Sequence, residues 1–515
     1  MEAADLYLSR DISNKHLIEI KNTEDKGRCL VAKTDIGAGE IIFKELSLVC
    51  SPSPSSPPTC LTCSSPVTGS YPCPNCGWPM CNKKCALNPV HANQECALYR
   101  KCQEQLDIST WDFTEVQPLY AIIPVLRILC LPPNLRKLHS AMQNDLADWR
   151  NDSDFCERFQ SAVDYLASKL NVGLTTEEIW RIFAGSVTND FSHSHSQGRE
   201  LGCVFPLAAL MNHSCWPNIF RSSMETDKGA VMTVSASRKI QKGEEIFNSY
   251  IDILQPTILR SILLKQTKQF QCRCVRCEDD LDLGLIMLRC VRCEDDLDLG
   301  LNGNAVICPF CVKGTCLPSS TVQCSTVQTW ACTSCSKTIP IKKMEEMIIW
   351  IDEKLKKVLS SSPQTKISKL EKFITEYSKK LGGQNMVIIR AKYNLIGMYG
   401  RLPGFTQQEM TEAAWRRKIV LCEEILQVLK VLEPGLTTRK GRIMFELYLP
   451  LAMVGQLILN KDKSTAKKML QRSLVTLKLV IQILGREPAG TWEYRTANDS
   501  QQNVEQLQEL INSLG

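Results

Sequence analysis

Apolar and polar positions follow different rhythms along this chain. Residues 16–50 carry short apolar runs punctuated by Gly37-Ala38-Gly39, in RCLVAKTDIGAGEIIFKELSLVC, and predict short strands. From about 97 to 185 helical spacing dominates, broken by Pro118, Pro124 and Pro132-Pro133. Residues 186–255 return to short apolar runs between turn residues. Beyond 340 the apolar positions fall at helical spacing: Met344, Met347, Ile348, Ile351 and Leu355; Trp415, Ile419, Cys422, Ile425, Leu426 and Leu429; Met469, Leu470, Leu474, Leu477 and Ile481. These predict amphipathic helices in series, paired as a bundle or solenoid without a strict repeat consensus. SPSPSSPP, Ser51 to Pro58, predicts a stiff connector. FSHSHSQG, with His193 and His195, reads as a polar loop rather than a metal site.

Composition sharpens this picture at one residue type. The 515 residues include 26 cysteines and only 6 histidines. A 44% hydrophobic and 23% charged chain of this length predicts a folded protein of about three or four domains. The net charge of +6 (61 basic minus 55 acidic) is too diluted for a nucleic-acid-binding stripe, and no recognition helix follows the cysteine pairs. The start, MEAADLYLSRDISNKH, lacks an apolar signal region, and the apolar run Tyr120 to Leu131 is too short to span a bilayer. The expectation is a chain of the cytoplasm and/or nucleus, without membrane attachment, whose clustered cysteines bind metal.

Residues 60–96 hold the first cluster: Cys60, Cys63, Cys73, Cys76, Cys81, Cys85, His91 and Cys96. Cysteines two or three residues apart let one turn direct two thiolates at one tetrahedral zinc ion. Eight ligands predict two closed, structural sites. So short a segment cannot bury a sufficient core, and zinc supplies on the order of 10 kcal/mol or more per site. The order of ligands resembles a MYND zinc finger. That resemblance implies one ion on Cys60, Cys63, Cys81 and Cys85, and a second on Cys73, Cys76, His91 and Cys96. Four residues separate His91 from Cys96, where the usual pattern has three.

Farther on, FPLAALMNHSCWPNI ends an apolar run in Asn212-His213-Ser214-Cys215, which alone reads equally as an ordinary turn. KGEEIFNSY then leads to Tyr250, and Phe270 precedes Cys272, Cys274 and Cys277. Three cysteines leave a zinc site one ligand short, and Cys215 is an available fourth. Cys308, Cys311, Cys332 and Cys335 form two further pairs at zinc-ribbon spacing. RCVRCEDDLDLGL occurs twice, at 273–285 and 289–301. So complete a repeat suggests recent duplication, and its Cys290 and Cys293 are competitors of Cys274 and Cys277 for an ion.

Together these segments resemble the SET domain of protein-lysine methyltransferases with its post-SET zinc site. With the finger inserted, the whole resembles the SET-and-MYND (SMYD) family. GWPM after Cys76 and the later cysteine pairs look most like its arthropod SmydA branch. The resemblance implies an α+β fold. A SET domain of small β-sheets is split between 16–50 and 186–255 and tied by a pseudoknot. The MYND finger occupies 60–96, a helical insert 97–185, a cysteine-rich post-SET region 256–335 and an all-α domain 340–515.

The function implied is methyl transfer from S-adenosylmethionine to a lysine of a protein substrate, histone or non-histone. Tyr250 would be catalytic. Gly27, Arg28, Cys29, Asn189, Asn212, His213, Tyr250 and Phe270 would contact the cofactor, although Asn189 also suits a plain cap or turn. Cys29 stands where many SET domains have the second glycine of Gly-x-Gly. Three zinc ions, and a fourth at the ribbon, would hold the fold. A monomer is expected, with a peptide partner for the finger. The competing reading is a catalytically weak adaptor or transcriptional regulator acting through the finger and the helical domain.

Overall fold

The computed structural model describes residues 7–8, 10, 12–194, 200–226, 228–279, 303–318 and 329–514. His195, Cys290, Cys293 and the second copy of the repeat lie outside these residues.

The α+β expectation matches the architecture. Strands β1 (Ile18–Thr23) and β2 (Gly27–Ala32) form a hairpin in which Thr23 faces Gly27. The three-residue turn closes on Gly27 at φ +68°, the left-handed conformation that such a hairpin needs and glycine adopts freely. β3 (Ile41–Leu46) pairs with β8 (Gly229–Ala236), which also pairs with β7 (Ile219–Thr226). β4 (Val49–Pro52) pairs with β6 (Glu200–Val204), and β6 with β5 (Asp190–Ser194). Two of these three-stranded sheets therefore join the chain before the finger to the chain after the insert. Leu30, Ile42, Phe43, Phe205, Leu207, Met211 and Val234 fill the core between them.

Three details depart from the sequence reading. Ser51 and Pro52 belong to β4, not to a connector. Pro52 lacks an N–H and is tolerated because β4 is an edge strand. The polar loop around His193 begins as β5, where His193 is buried with Nδ1 2.6 Å from Ser223 Oγ. Pro124 does not break its helix, Ile122–Leu129, because it sits in the first turn, where N–H groups have no intrahelical partner.

The finger packs on the insert through Trp78 of the GWPM stretch. This fully buried ring lies edge-on to Tyr120 (5.1 Å), Trp111 (5.9 Å) and Tyr99 (6.3 Å). A reciprocal cap between Thr175 and Glu178 starts the insert's last helix, Thr176–Asn189, which delivers the chain into β5.

The C-terminal periodicity resolves into seven helices among the described residues, from Ile341–Leu359 to Trp492–Ser513, each packing on the next. The apolar stripes face inward: Met344, Ile348, Leu355, Trp415, Cys422, Leu429, Leu470 and Leu477 are buried. This domain docks on the SET core. Trp216 Nε1 donates to Val431 O (2.8 Å) and Arg439 Nη1 to Asp252 Oδ1 (2.9 Å). Gly435, at φ +94°, lies so close to Ser237 that a Cβ there would meet its carbonyl oxygen at 1.5 Å. A four-stranded sheet, β9 (Val306–Ile307) to β12 (Thr338–Pro340), carries the ribbon cysteines.

Candidate active site and metal centres

The Asn212–Ser214 segment and the Asn248–Tyr250 segment are threaded together. Asn248 N donates to Asn212 O (3.0 Å), and Ser214 N to Asn248 O (2.8 Å), a short parallel bridge between segments more than thirty residues apart. Two side chains that the sequence did not single out hold this crossing. Asn218, fully buried, donates from Nδ2 to Glu245 O (2.8 Å) and Glu244 Oε1 (3.1 Å), and accepts from Phe247 N (2.8 Å). Glu45 reaches from β3 to accept Leu207 N and Ala208 N, both at 2.9 Å, with Arg10 beside it at 2.7 Å. These bonds fix the turn that leads into Met211 and Asn212.

The crossing assembles an aromatic cluster. The Tyr250 ring is 5.1 Å from the His213 ring and 6.3 Å from that of Phe270, and His213 lies 5.9 Å from Phe270. The Tyr250 hydroxyl donates to Met211 O at 2.8 Å. Burial, with Glu245 nearby, holds this phenol above its ordinary pKa, so it stays protonated. His213 Nδ1 accepts the Tyr250 N–H (3.0 Å) while Nε2 lies 3.2 Å from Cys215 Sγ. Burial lowers the His213 pKa to about 4 against the opposing charge of Cys274, with Arg260 and Arg276 adding to the lowering. A neutral imidazole thus bridges a metal ligand to the Tyr250 backbone. Its ring nitrogens are engaged, which leaves backbone groups for any ligand.

Glu245 ties the N-terminal hairpin to this cluster, accepting Asn212 Nδ2 (2.8 Å) and Lys26 Nζ (3.1 Å). Gly27 has open space where a Cβ would stand. Cys29, two residues on in β2, is buried at 1% exposure. Arg28 points elsewhere, donating to the Tyr7 hydroxyl at 2.8 Å. Asn189 is buried, and its Nδ2 bonds Gly185 O (2.6 Å) and Gln143 O (2.7 Å), the capping arrangement.

Asn189 and Tyr250 line one cavity of about 1210 Å³, bounded by the insert, the SET core and the C-terminal domain. Buried Asn248 lines it too, with Nδ2 lacking a hydrogen-bond partner among the described residues. Lys268, at the end of the helix Thr257–Lys268, places Nζ 5.9 Å from the Tyr250 ring centre and donates to Thr188 O (2.9 Å) and Val187 O (3.1 Å). Burial holds its pKa below the ordinary lysine value, with Asp190 opposing and Arg221 reinforcing. Asp190 opens to the cavity's water yet is enclosed by protein, and this enclosure raises it to about 6 against Lys268, two backbone amides and Arg158.

Four quartets place their donor atoms within 4.8 Å of one another: Cys60, Cys63, Cys81 and Cys85; Cys73, Cys76, His91 and Cys96; Cys215, Cys272, Cys274 and Cys277; Cys308, Cys311, Cys332 and Cys335. Tetrahedral thiolates around zinc stand roughly 3.8 Å apart. Cys73 and Cys96 are 3.9 Å apart, and Cys308–Cys335 and Cys311–Cys332 are each 3.7 Å apart. Both the donor set and its spacing fit zinc.

The second finger site has a supporting shell. His91 Nε2 is 3.4 Å from Cys76 Sγ, and Nδ1 is 2.9 Å from Glu95 Oε1, an arrangement that fixes the ring for ligation. Arg127 then holds Glu95 through Nε (3.2 Å) and Nη2 (3.1 Å), and donates to Leu61 O (2.5 Å) and to Cys50 O of β4. Burial pushes the Glu95 carboxyl up, but Arg127 and His91 more than reverse this and hold it below the usual range.

Comparison with known proteins agrees with this layout. A family profile described as "SET domain" matches residues 27–251. SET domain-containing protein SmydA-8, isoform A, of Drosophila melanogaster is 30% identical over 443 residues, 83% of this chain and 87% of the relative. Human N-lysine methyltransferase SMYD2 is 41% identical over 97 residues, 19% of this chain and 22% of its own length. The crystal structure of the SET domain of LSMT bound to lysine and AdoHcy aligns loosely, with a TM-score of 0.32 at 9% identity over 98% of this chain and 92% of that one. From its threaded crossing, its finger and its extended similarity to SmydA-8, the chain belongs to the SET-and-MYND family, as a SmydA-like member.

Proposed function

We propose that the chain transfers a methyl group from S-adenosylmethionine to a lysine side chain of a protein substrate. The observation that carries this is the threaded crossing, which brings Tyr250, His213 and Phe270 together beside a cavity open to a side chain. S-adenosylmethionine, when bound, supplies a sulfonium methyl group for in-line displacement. Asn212 and His213 would hold its amino-acid end through backbone groups, Phe270 would stack on the adenine, and Gly27, with open space where a Cβ would stand, would admit close approach.

The chain's own task is positional. A target amine must be uncharged to attack, and its free pKa is about 10.4. Enclosure disfavours the ammonium form, and the Tyr250 hydroxyl, held by Met211 O, lines the place where the amine must sit. The alternative is an adaptor that binds a peptide through the finger, where Leu87 is an exposed apolar side chain.

Calorimetric titration with S-adenosylmethionine, followed by transfer of labelled methyl to cell extract, tests the proposal. Wild type should bind and transfer. Tyr250→Phe should retain binding and lose transfer by about a hundredfold or more, the usual scale for a group acting in the transition state. Absence of cofactor binding in folded, zinc-loaded protein would sink the enzyme reading and leave the adaptor.

A further inference from the structure

Outside the four zinc quartets, eight cysteines stand among the described residues, and one pair of them meets through sulfur. Cys50 of β4 faces Cys203 of β6, with the two Sγ atoms 2.7 Å apart. Contacting sulfurs within the quartets stand 3.4 to 3.9 Å apart. Among the described residues, no histidine or carboxylate completes a ligand set around Cys50 and Cys203. They are two thiols held against each other, not the start of a fifth metal site.

The strand register lets this pair bond. Ser53 N donates to Glu200 O (2.9 Å) in the same ladder, and hydrogen-bonded and non-hydrogen-bonded pairs alternate along antiparallel strands. Three positions back, Cys50 and Cys203 therefore form a non-hydrogen-bonded pair, whose Cα atoms stand about 4.5 Å apart. A disulfide accepts Cα separations of roughly 4.4–6.8 Å, so neither strand has to move. Access to the two sulfurs differs. Cys50 is half-buried and lines the cleft of about 340 Å³ beside Leu61, Arg127 and Leu201. Cys203 is 0% exposed, and its contact with Cys50, together with burial, holds its thiol above the ordinary pKa, so it rests protonated.

We propose that Cys50 and Cys203 are a redox modification site, a dithiol that a hydroperoxide converts into a disulfide joining the two halves of the split SET domain. The Cys50 thiolate attacks one oxygen of hydrogen peroxide. An S–O bond forms, the O–O bond breaks, and the leaving hydroxide takes up the proton that the thiol released. The Cys203 sulfur then attacks the Cys50 sulfur. The S–S bond forms, the S–O bond breaks, and the hydroxyl leaves as water with the Cys203 proton. Two thiols and one hydrogen peroxide thus give one disulfide and two waters. The cleft that admits the peroxide also admits a dithiol reductant, which returns two electrons and reopens the bond. Because β4 and β6 are already paired, the bond strengthens their sheet without reshaping it.

The test uses the full, reduced, zinc-loaded chain and hydrogen peroxide added stepwise to about two equivalents. Free thiols are alkylated and peptides mapped by mass spectrometry without reduction, while zinc release to a chromophoric chelator is followed in the same samples. A Cys50–Cys203 cross-linked peptide should be the first disulfide to accumulate, ahead of zinc release, and dithiothreitol should remove it. In Cys203→Ser, dimedone should trap sulfenic acid at Cys50 about tenfold more than it does at Cys203 in Cys50→Ser, because only Cys50 reaches the cleft. Oxidation of the zinc ligands first, both thiols still alkylated after peroxide, or equal trapping at the two positions overturns the proposal. The wild-type peptide map decides the question even where a variant fails to fold.

Discussion

Replacing Arg127 by methionine should uncouple the finger from the SET sheets. The methionine keeps the apolar stem, so the loss is confined to the guanidinium. Four donated bonds go: two to Glu95, one to Leu61 O and one to Cys50 O. Leu61, Cys50 and Arg127 line a cleft of about 340 Å³, so water can reach the two carbonyls and soften their loss. Glu95 has no such relief, being 0% exposed with His91 as its remaining partner. Removing one member of a buried ion pair costs about 3–5 kcal/mol, a large part of a domain's usual 5–15 kcal/mol.

Several domains forbid a single unfolding free energy, so the measurement is local. Zinc release to a chromophoric chelator during urea titration, with hydrogen exchange over residues 60–101, should show release from the finger well before wild type. The pH dependence follows from Glu95. Its folded pKa lies below the unfolded value in wild type, so its stabilisation is present above about pH 4.3 and is lost as pH falls through the folded pKa. In Arg127→Met the unpaired carboxyl rises instead, and the gap between variant and wild type should narrow as pH falls from 7 towards 5. Glu95→Gln combined with Arg127→Met should be milder than Arg127→Met alone. A release midpoint for Arg127→Met within about 0.5 kcal/mol of wild type would refute the argument.

Other consequences are equally direct. Metal analysis should return four zinc ions for the full chain and three for Cys332→Ser, with the loss confined to the β9–β12 sheet by hydrogen exchange. Asn218→Ala orphans the Phe247 amide in a buried site and should cost about 2–4 kcal/mol, while lowering methyl transfer with Tyr250 intact.

Metal chemistry and helices were readable from the sequence because both are written locally. A cysteine pair in one turn, or an apolar stripe such as Met344 to Leu355, needs no knowledge of distant chain. Residues that set the site through remote partners were opaque. Glu45 acts on amides about 160 residues away, Arg127 joins three segments, and Lys268 looks like any solvated charge at a helix end until the fold places it against Tyr250. Ser51 and Pro52 read as a connector because nothing local reveals the strand that receives them.

The split of the SET domain also constrains how the protein is made. Ile41 pairs with Ser235, 194 positions later. During synthesis β3 and β4 leave the ribosome long before β6 and β8 exist, so two strand edges wait unpaired while the intervening finger and insert fold. Closing so distant a contact is slow, and exposed edges invite pairing with other chains. Zinc shortens that interval: once the finger closes, Arg127 reaches Cys50 of β4 and holds one waiting strand against a folded body. Zinc supply during translation, rather than zinc bound at equilibrium, is then what should govern the yield of native protein.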